Sequence, residues 1–489
     1  MNAETDGLAG QAARAARWGL FAAFVVQLST IVSTLVIARL LRRSDVGLVG
    51  RATIVQALFT VLGQGGFGTA LISRGQDSQR RVSSTFWFAT AVGLVLALAA
   101  AATSPWTARA VGSTEAAPII ALLGLQIPLS LSNSVLESIE LRRMNHRIVY
   151  AAQIAEAFTT AIVPLGLAMA GYGPWAIVGS RLGGVVVTLV ILLLFGTFRP
   201  SLEFALTEVR TDLRFNSTML GNQLLAYVSK NLDYWVLTRV VTSGSFASYS
   251  IAFQMPQIIR QRATWLAGEV MLPVLAKVQR DRRLIRRAVL EFNLLIALVV
   301  LPVLITVALV ARPAVLFALG PRWVEVAYPL QLLSIASSLD IIARVNAIVF
   351  IAIDRPEFIS REQLIRILVL AVGLVAVPFT GTISTAAWAV LGSCIAGAVY
   401  TVVKLREEGI VGPFRLLREL FPVVVSCAGM VSVVSVSRSL TDRLDLLPRL
   451  LAIGSMAVVT YFAVLFGLFP AAASRAVARS RAMLRARSA

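Results

Sequence analysis

Histidine is almost missing from this 489-residue sequence, with His146 the sole copy. A multi-histidine metal site therefore cannot form within one chain, and a histidine-based triad could use only this loop residue. Cysteine is nearly as scarce. Cys394 and Cys427 both fall in apolar stretches, so no disulfide framework is expected. Lysine occurs only as Lys230, Lys277 and Lys404, and every other basic residue is arginine. Long polar stretches are lacking as well. The longest connections, about 197–214 and 273–290, have room for one amphipathic helix each, which excludes a sizeable extramembrane domain. No G-x-x-x-x-G-K-[ST] pattern occurs, so a P-loop ATPase is excluded. The glycine-rich run at 63–68 lies near the end of an apolar segment and follows no strand, so it is not a nucleotide loop. Neither a metal nor a cofactor is expected.

What fills residues 18–469 is a succession of apolar segments, each about the length of a membrane-spanning helix. A bilayer core of ~30 Å takes roughly 20 apolar residues in helical form. Inside lipid a backbone must satisfy its own hydrogen bonds, so helices are the expected structure, and the alternating strands of a membrane barrel are not seen. The mean hydropathy of +0.79 and the 57% hydrophobic content agree. The fold class expected is an all-α polytopic membrane protein with about fourteen transmembrane helices. They are expected near 17–41, 49–72, 82–103, 116–136, 148–170, 174–196, 215–241, 247–272, 291–311, 325–350, 363–380, 384–403, 420–437 and 449–469. Pro105, Pro174, Pro321, Pro413 and Pro448 mark starts or breaks, while Pro256, Pro302 and Pro378 predict kinks.

The chain carries 45 Lys+Arg against 25 Asp+Glu. In a soluble protein that excess would suggest nucleic acid. Here the positive-inside rule accounts for it, and no nucleic-acid partner is expected. Placing the N-terminus in the cytoplasm puts the arginine clusters at 74–81, 142–147, 199–214, 280–287, 355–366, 404–418 and 475–487 on one side. The opposite loops hold mainly Arg42, Arg43, Arg109, Arg312, Arg322, Arg438, Arg443 and Arg449. Both termini are thus expected in the cytoplasm. Residues 1–17 lack the pattern of a signal peptide, and residues 475–489 form a basic tail suited to anionic lipid.

A weak internal repeat is present. Ala38-Arg39-Leu40-Leu41 ends the first expected helix and Thr238-Arg239-Val240-Val241 ends the seventh. A short polar turn follows each, and then Gly47-Leu48-Val49 or Ala247-Ser248-Tyr249 leads into the next helix. The copies are six helices apart, an even number, so both run the same way through the membrane. Two pseudo-symmetric six-helix lobes around a central lumen are expected, plus two extra helices. The corresponding divisions are 1–200, 201–408 and 409–489, the last holding the extra helices and the tail.

Ionisable residues at membrane depth are costly and mark cavities or partners. By these spans they are Glu156, Arg181, Lys230, Asp233, Arg260, Arg262, Glu269, Asp340 and Arg344. Lys230 with Asp233, and Asp340 with Arg344, stand at helical spacing and can neutralise each other. Arg181, Arg260 and Arg262 have no partner at such spacing. Arginine grips phosphate with a bidentate fork, so an excess of it in a lumen suits a phosphate-bearing anion. Snorkelling to the interface is the competing explanation. Gln27, Ser29, Thr30, Ser33, Thr34, Gln56 and Gln64 offer donors and acceptors for sugar hydroxyls, and helix–helix hydrogen bonding explains them equally well.

These residues bear on a family. Ala38-Arg39-Leu40-Leu41 with Ser44-Asp45-Val46-Gly47, the basic loop 137–147, Asn231-Leu232-Asp233-Tyr234 with Arg239 and Tyr249, and Gly320-Pro321-Arg322-Trp323 carry the resemblance. The chain resembles the polysaccharide-transporter branch, the Wzx-type oligosaccharide flippases, of the multidrug/oligosaccharidyl-lipid/polysaccharide exporter superfamily, over roughly 15–470. It departs from the pattern at Thr238 and Ala247, where the family usually has glycine. The resemblance implies a pair of six-helix lobes that alternates access. It also implies a bacterial inner-membrane flippase moving a polyprenyl-diphosphate-linked oligosaccharide outward for cell-surface polysaccharide, such as lipopolysaccharide. Membrane lipids and a polysaccharide polymerase complex are the implied partners. By motif position Arg39, Asp233 and Arg239 are site candidates. Arg181, Lys230, Arg260, Arg262 and Arg344 are candidates by depth, and Glu156 is the candidate for ion coupling. A multidrug antiporter of the same superfamily is the alternative. It would want unpaired carboxylates, of which Glu156 is the best. A membrane glycosyltransferase or polymerase would need a larger outer loop than any here, so a transporter rather than an enzyme is expected.

Overall fold

The computed structural model describes residues 2–64, 79–203, 205–278, 281–441 and 443–470, with side chains left out at 2–17, 20, 64, 206–219, 222 and 438. The described residues form helices joined by short turns. They are α1 (Asn2–Leu40), α2 (Arg43–Gln64), α3 (Gln79–Ala110), α4 (Ala116–Gly124), α5 (Gln126–Arg142), α6 (His146–Met169), α7 (Trp175–Phe195) and α8 (Leu206–Val240). There follow α9 (Ser243–Val278), α10 (Arg282–Ala318), a 3₁₀ turn (Pro321–Val326), α11 (Ala327–Ala352), α12 (Glu357–Leu374), α13 (Val377–Thr380), α14 (Ile383–Glu407), α15 (Pro413–Val436), α16 (Arg438–Thr441) and α17 (Leu446–Leu468).

This is a polytopic helical membrane protein. Among the described residues, twelve helical segments are long and apolar enough to cross a bilayer. The helices expected at 215–241 and 247–272 are present as α8 and α9 but are not among those twelve, because polar and charged side chains interrupt their apolar runs. The count of about fourteen is therefore not confirmed. Boundaries shift for physical reasons. Pro128 cannot donate to the Gly124 carbonyl, so the fourth expected helix divides at Leu125 into α4 and α5. Pro378 likewise cannot bond Leu374, and the chain breaks between α12 and α13. Pro105 does not end its helix, since α3 runs on to Ala110. Arg74, most of the 63–68 run and the tail 475–489 lie outside the described residues.

Contacts divide the chain into two compact units, Met1–Ala247 and Ser248–Ala489. The same turns recur in both. Met144 and Asp354, each just past a helix end, have φ of 58°. Asn145 then donates to the Glu140 carbonyl at 2.8 Å, and Arg355 to that of Phe350 at 2.8 Å. Gly171 and Gly381 close the next helices with positive φ, 82° and 64°. These matched turns extend the sequence repeat from one helix end to several.

Within lipid, helices pack through small residues and polar contacts. In the first unit a Cβ on Gly47 would stand 1.7 Å from the Ser243 carbonyl oxygen, so glycine permits the contact between α2 and the start of α9. Arg51 of α2 is buried and donates to the carbonyls of Gly112 at 2.9 Å and Val241 at 2.6 Å. It joins three helix ends. In the second unit Asn293 and Asn346 exchange amide hydrogen bonds of 2.7 and 3.2 Å between α10 and α11. One apolar core there unites Met271, Val289, Leu304, Val345, Met430 and Tyr461. The Tyr461 hydroxyl donates to the Leu298 carbonyl at 2.9 Å, which ties α17 to α10.

Candidate functional site

Three helices of the second unit bring charge together, and a fourth packs against it. Asp340 of α11 is 2% exposed, and three arginines surround it. Arg260 of α9 donates from Nη1 to Oδ2 at 2.7 Å. Arg344, one turn along α11, donates from Nε to the same oxygen at 2.8 Å. Arg366 of α12 donates from Nη1 to Oδ1. Glu362 lies 3.4 Å from the same Arg366 nitrogen, and the Cys394 sulfur of α14 lies 3.4 Å from Arg366 Nη2. Three guanidiniums thus face two carboxylates, an excess of one positive charge. Gly397 of α14 leaves the room needed, since a Cβ there would meet Glu362 Oε1 at 2.5 Å and Arg366 Cδ at 2.8 Å.

The cluster explains two sequence expectations and alters two others. The Asp340–Arg344 pair forms at helical spacing as expected. Arg260, which lacks a partner on its own helix, finds Asp340 on another. Arg366, counted by sequence among the cytoplasmic charges, is instead mostly buried in the span and is the most heavily engaged arginine of the group. Sequence alone carried one clue to it, the Glu362–Arg366 spacing. Exposure divides the three arginines. The side chains of Arg260 and Arg366 are each 13% exposed, whereas that of Arg344 is 41%. Arg344 is the arginine an outside anion could reach. Arg262, two residues past Arg260, is exposed and takes no part in the cluster.

The first unit holds a smaller polar set. Glu156 of α6 accepts from the Thr188 hydroxyl of α7 at 2.9 Å. Gly184, one turn before Thr188, lets α6 approach, for its Cβ would fall 3.1 Å from Glu156 Cγ. Arg181 lies one turn further back, half-buried, with no ion pair among the described residues. The motif residues lie apart from this set. Arg39 is exposed in the last turn of α1, and Arg239 is exposed at the end of α8, where its Nε donates to the Ala110 carbonyl at 2.7 Å. Lys230 is exposed, and Asp233 is buried with 2% of its surface accessible. Around Asp233 the motif is structural. Asn231 bonds back to the Tyr227 carbonyl, Trp235 donates to the Tyr227 hydroxyl, and that hydroxyl donates to Ile54 of α2 at 2.8 Å.

A profile of the family described as polysaccharide biosynthesis protein matches residues 36–328. This chain belongs to that family. The chain is also similar to proteins with stated roles. The succinoglycan biosynthesis transport protein ExoT of Rhizobium meliloti (strain 1021) is 25% identical over 292 residues, 60% of this chain and 59% of that protein. The lipopolysaccharide biosynthesis protein WzxC of Escherichia coli (strain K12) is 25% identical over 332 residues, 66% of each chain. The alignments thus span 59% and 66% of the length of these curated relatives. Among solved structures, the lipid II flippase MurJ in an inward closed conformation matches with a TM-score of 0.72 at 13% identity, covering 91% of this chain and 98% of that one. An inward-facing multidrug resistance MATE family transporter of the MOP superfamily matches at 0.60 and 14%, covering 78% and 95%. At such identities the likeness concerns the fold alone, which this chain shares with these two solved structures.

Proposed function

We propose that this polysaccharide biosynthesis protein is a flippase. Its cargo is a polyprenyl-diphosphate-linked oligosaccharide carried outward across the bacterial inner membrane, with both termini in the cytoplasm. One observation carries the reading: three arginines gathered at mid-span around a single carboxylate, one of them open to an incoming anion. The names of ExoT and WzxC, which tie those relatives to polysaccharide biosynthesis, point the same way.

The proposed mechanism is an exchange of counter-ions. Asp340 neutralises the arginines while the site is empty, since buried charges unpaired in lipid are costly. A diphosphate bears more negative charge than one carboxylate and offers oxygens in the geometry a guanidinium fork prefers. It engages Arg344 first, and Arg181 and Arg262 are the further anion contacts in an alternating-access cycle. Gln27 faces the sugars, whereas the Ser33 hydroxyl is engaged between helices, donating to the Thr160 carbonyl at 2.9 Å. Arg39 and Arg239 act at helix ends, and Lys230 and Asp233 act further inside α8. Glu156 is the site of ion coupling, and a polysaccharide polymerase receives the product.

The test is flipping of a fluorescent polyprenyl-diphosphate oligosaccharide in proteoliposomes. Arg344→Gln is expected to lower the rate by about tenfold or more, the loss of one charge-assisted contact. Unchanged flipping by Arg344→Gln combined with Arg262→Gln and Arg181→Gln would falsify the cationic-site reading. A multidrug antiporter would instead export cationic dyes and lose that activity in Glu156→Gln.

A further inference from the structure

The second unit carries another cluster of arginines, away from Asp340. It lies where α14 ends and α15 begins. A cavity of about 450 Å³ opens there, lined by Arg286, Arg406, Gly409, Gly412, Phe414 and Arg415 among others. Not all of these arginines serve the same purpose. Arg286 is committed to the backbone, with Nε donating to the Ile410 carbonyl at 2.7 Å and Nη2 to that of Gly409 at 3.2 Å. Arg282 does the same for Glu408 at 2.7 Å. These two satisfy the carbonyls left over at the C-terminus of α14. The guanidiniums of Arg406 and Arg415 make no hydrogen bond or ion pair among the described residues, and both residues are exposed. The nearest acidic neighbour on α14, Glu407, is held by Lys404 instead.

Apolar exposure begins at the same place. Phe414, Leu417, Phe421 and Val424 are all exposed and follow one another at three- and four-residue steps along α15. They form a single stripe down the helix. A stripe of exposed Phe, Leu and Val on a spanning helix faces acyl chains, so its first residue, Phe414, marks the level at which headgroups begin. The cavity is therefore at interface depth, with free guanidiniums on one side and an apolar stripe leading from it.

We propose that this cavity binds the phosphate of an anionic phospholipid, with acyl chains lying along the α15 stripe. Basic pockets beside spanning helices at the interface hold anionic headgroups by this combination of charge and apolar contact. Free inorganic phosphate shares the charge but has no use for the stripe. The lipid reading follows from Phe414 and Leu417 as much as from the arginines, and it stands whatever cargo the protein moves.

The experiment uses the full chain, purified in a neutral detergent. Native mass spectrometry counts bound lipid after addition of phosphatidylglycerol or phosphatidylcholine at equal concentration. Phosphatidylglycerol is expected to stay bound where phosphatidylcholine does not, and Arg406→Gln with Arg415→Gln is expected to weaken its retention by about tenfold. A control pair, Arg109→Gln with Arg312→Gln, removes the same charge from exposed positions elsewhere and is expected to change nothing. Equal loss in the control pair reduces the effect to bulk charge and overturns the proposal. Displacement by inorganic phosphate at matched concentration as effective as by phosphatidylglycerol overturns the lipid assignment in favour of a simple anion. Should the double variant not elute as a folded protein, Arg415→Gln alone is read, because that guanidinium supports nothing within the chain.

Discussion

Asp340 is the residue on which most rests. It is buried at mid-span and neutralises arginines from three helices at once. Taking away one partner of a buried ion group strands the others and costs ~3–5 kcal/mol. Asp340→Ala is therefore expected to lower the unfolding midpoint sharply in detergent, while Arg344→Gln, at the half-exposed edge, costs little. If both variants melt alike, exposure does not rank the arginines as argued. Arg51 makes a second case. Its two bonds to the Gly112 and Val241 carbonyls are charge-assisted, each worth roughly 1.5–3 kcal/mol when buried. Arg51→Met keeps the bulk and loses the bonds, so a midpoint equal to that of the native chain would show them to be idle. Sequence spacing found the Asp340–Arg344 pair and not Arg366, because a partner on another helix leaves no periodic trace.

Helices meet through particular small residues. Gly47 in α2 allows contact with the Ser243 carbonyl at the head of α9, and Gly397 in α14 leaves space for Glu362 and Arg366. The obstacle differs between them. Ser243 offers a backbone atom that cannot swing aside, whereas Glu362 offers the far end of a flexible side chain. Gly47→Ala is expected to destabilise by about the 1–3 kcal/mol of an overpacked site, and Gly397→Ala by less. Thermal melts of the two variants decide the order. The Ser44-Asp45-Val46-Gly47 motif thus has a packing reason, one that the sequence marked by position without explaining. Proline placed helix ends imperfectly: Pro128 divides a helix expected to be continuous, and Pro378 breaks the chain where only a kink was expected. At Pro105 the helix continues and the spared carbonyl is tolerated.

At the scale of the chain, arginine placement is the ground for proposing that both termini lie in the cytoplasm. Single cysteines introduced into the Cys394→Ala, Cys427→Ala background report on this. Neither native thiol is in a disulfide, but Cys394 meets Arg366, so the melting midpoint of the background is compared with that of the native chain first. A cysteine at Ser437, beyond α15, is expected to react with an impermeant maleimide from outside intact cells, and one at Glu408 only after lysis. The reverse pattern inverts the topology. Membrane character and helical content were determined by sequence alone, because hydropathy is a local sum that any window of the chain displays. Which arginines meet Asp340, which ones merely cap helix ends, and which stay free beside α15 were decided only in three dimensions. The contacts between helices among these join residues from 26 to 126 positions apart, and no helical period connects such distances.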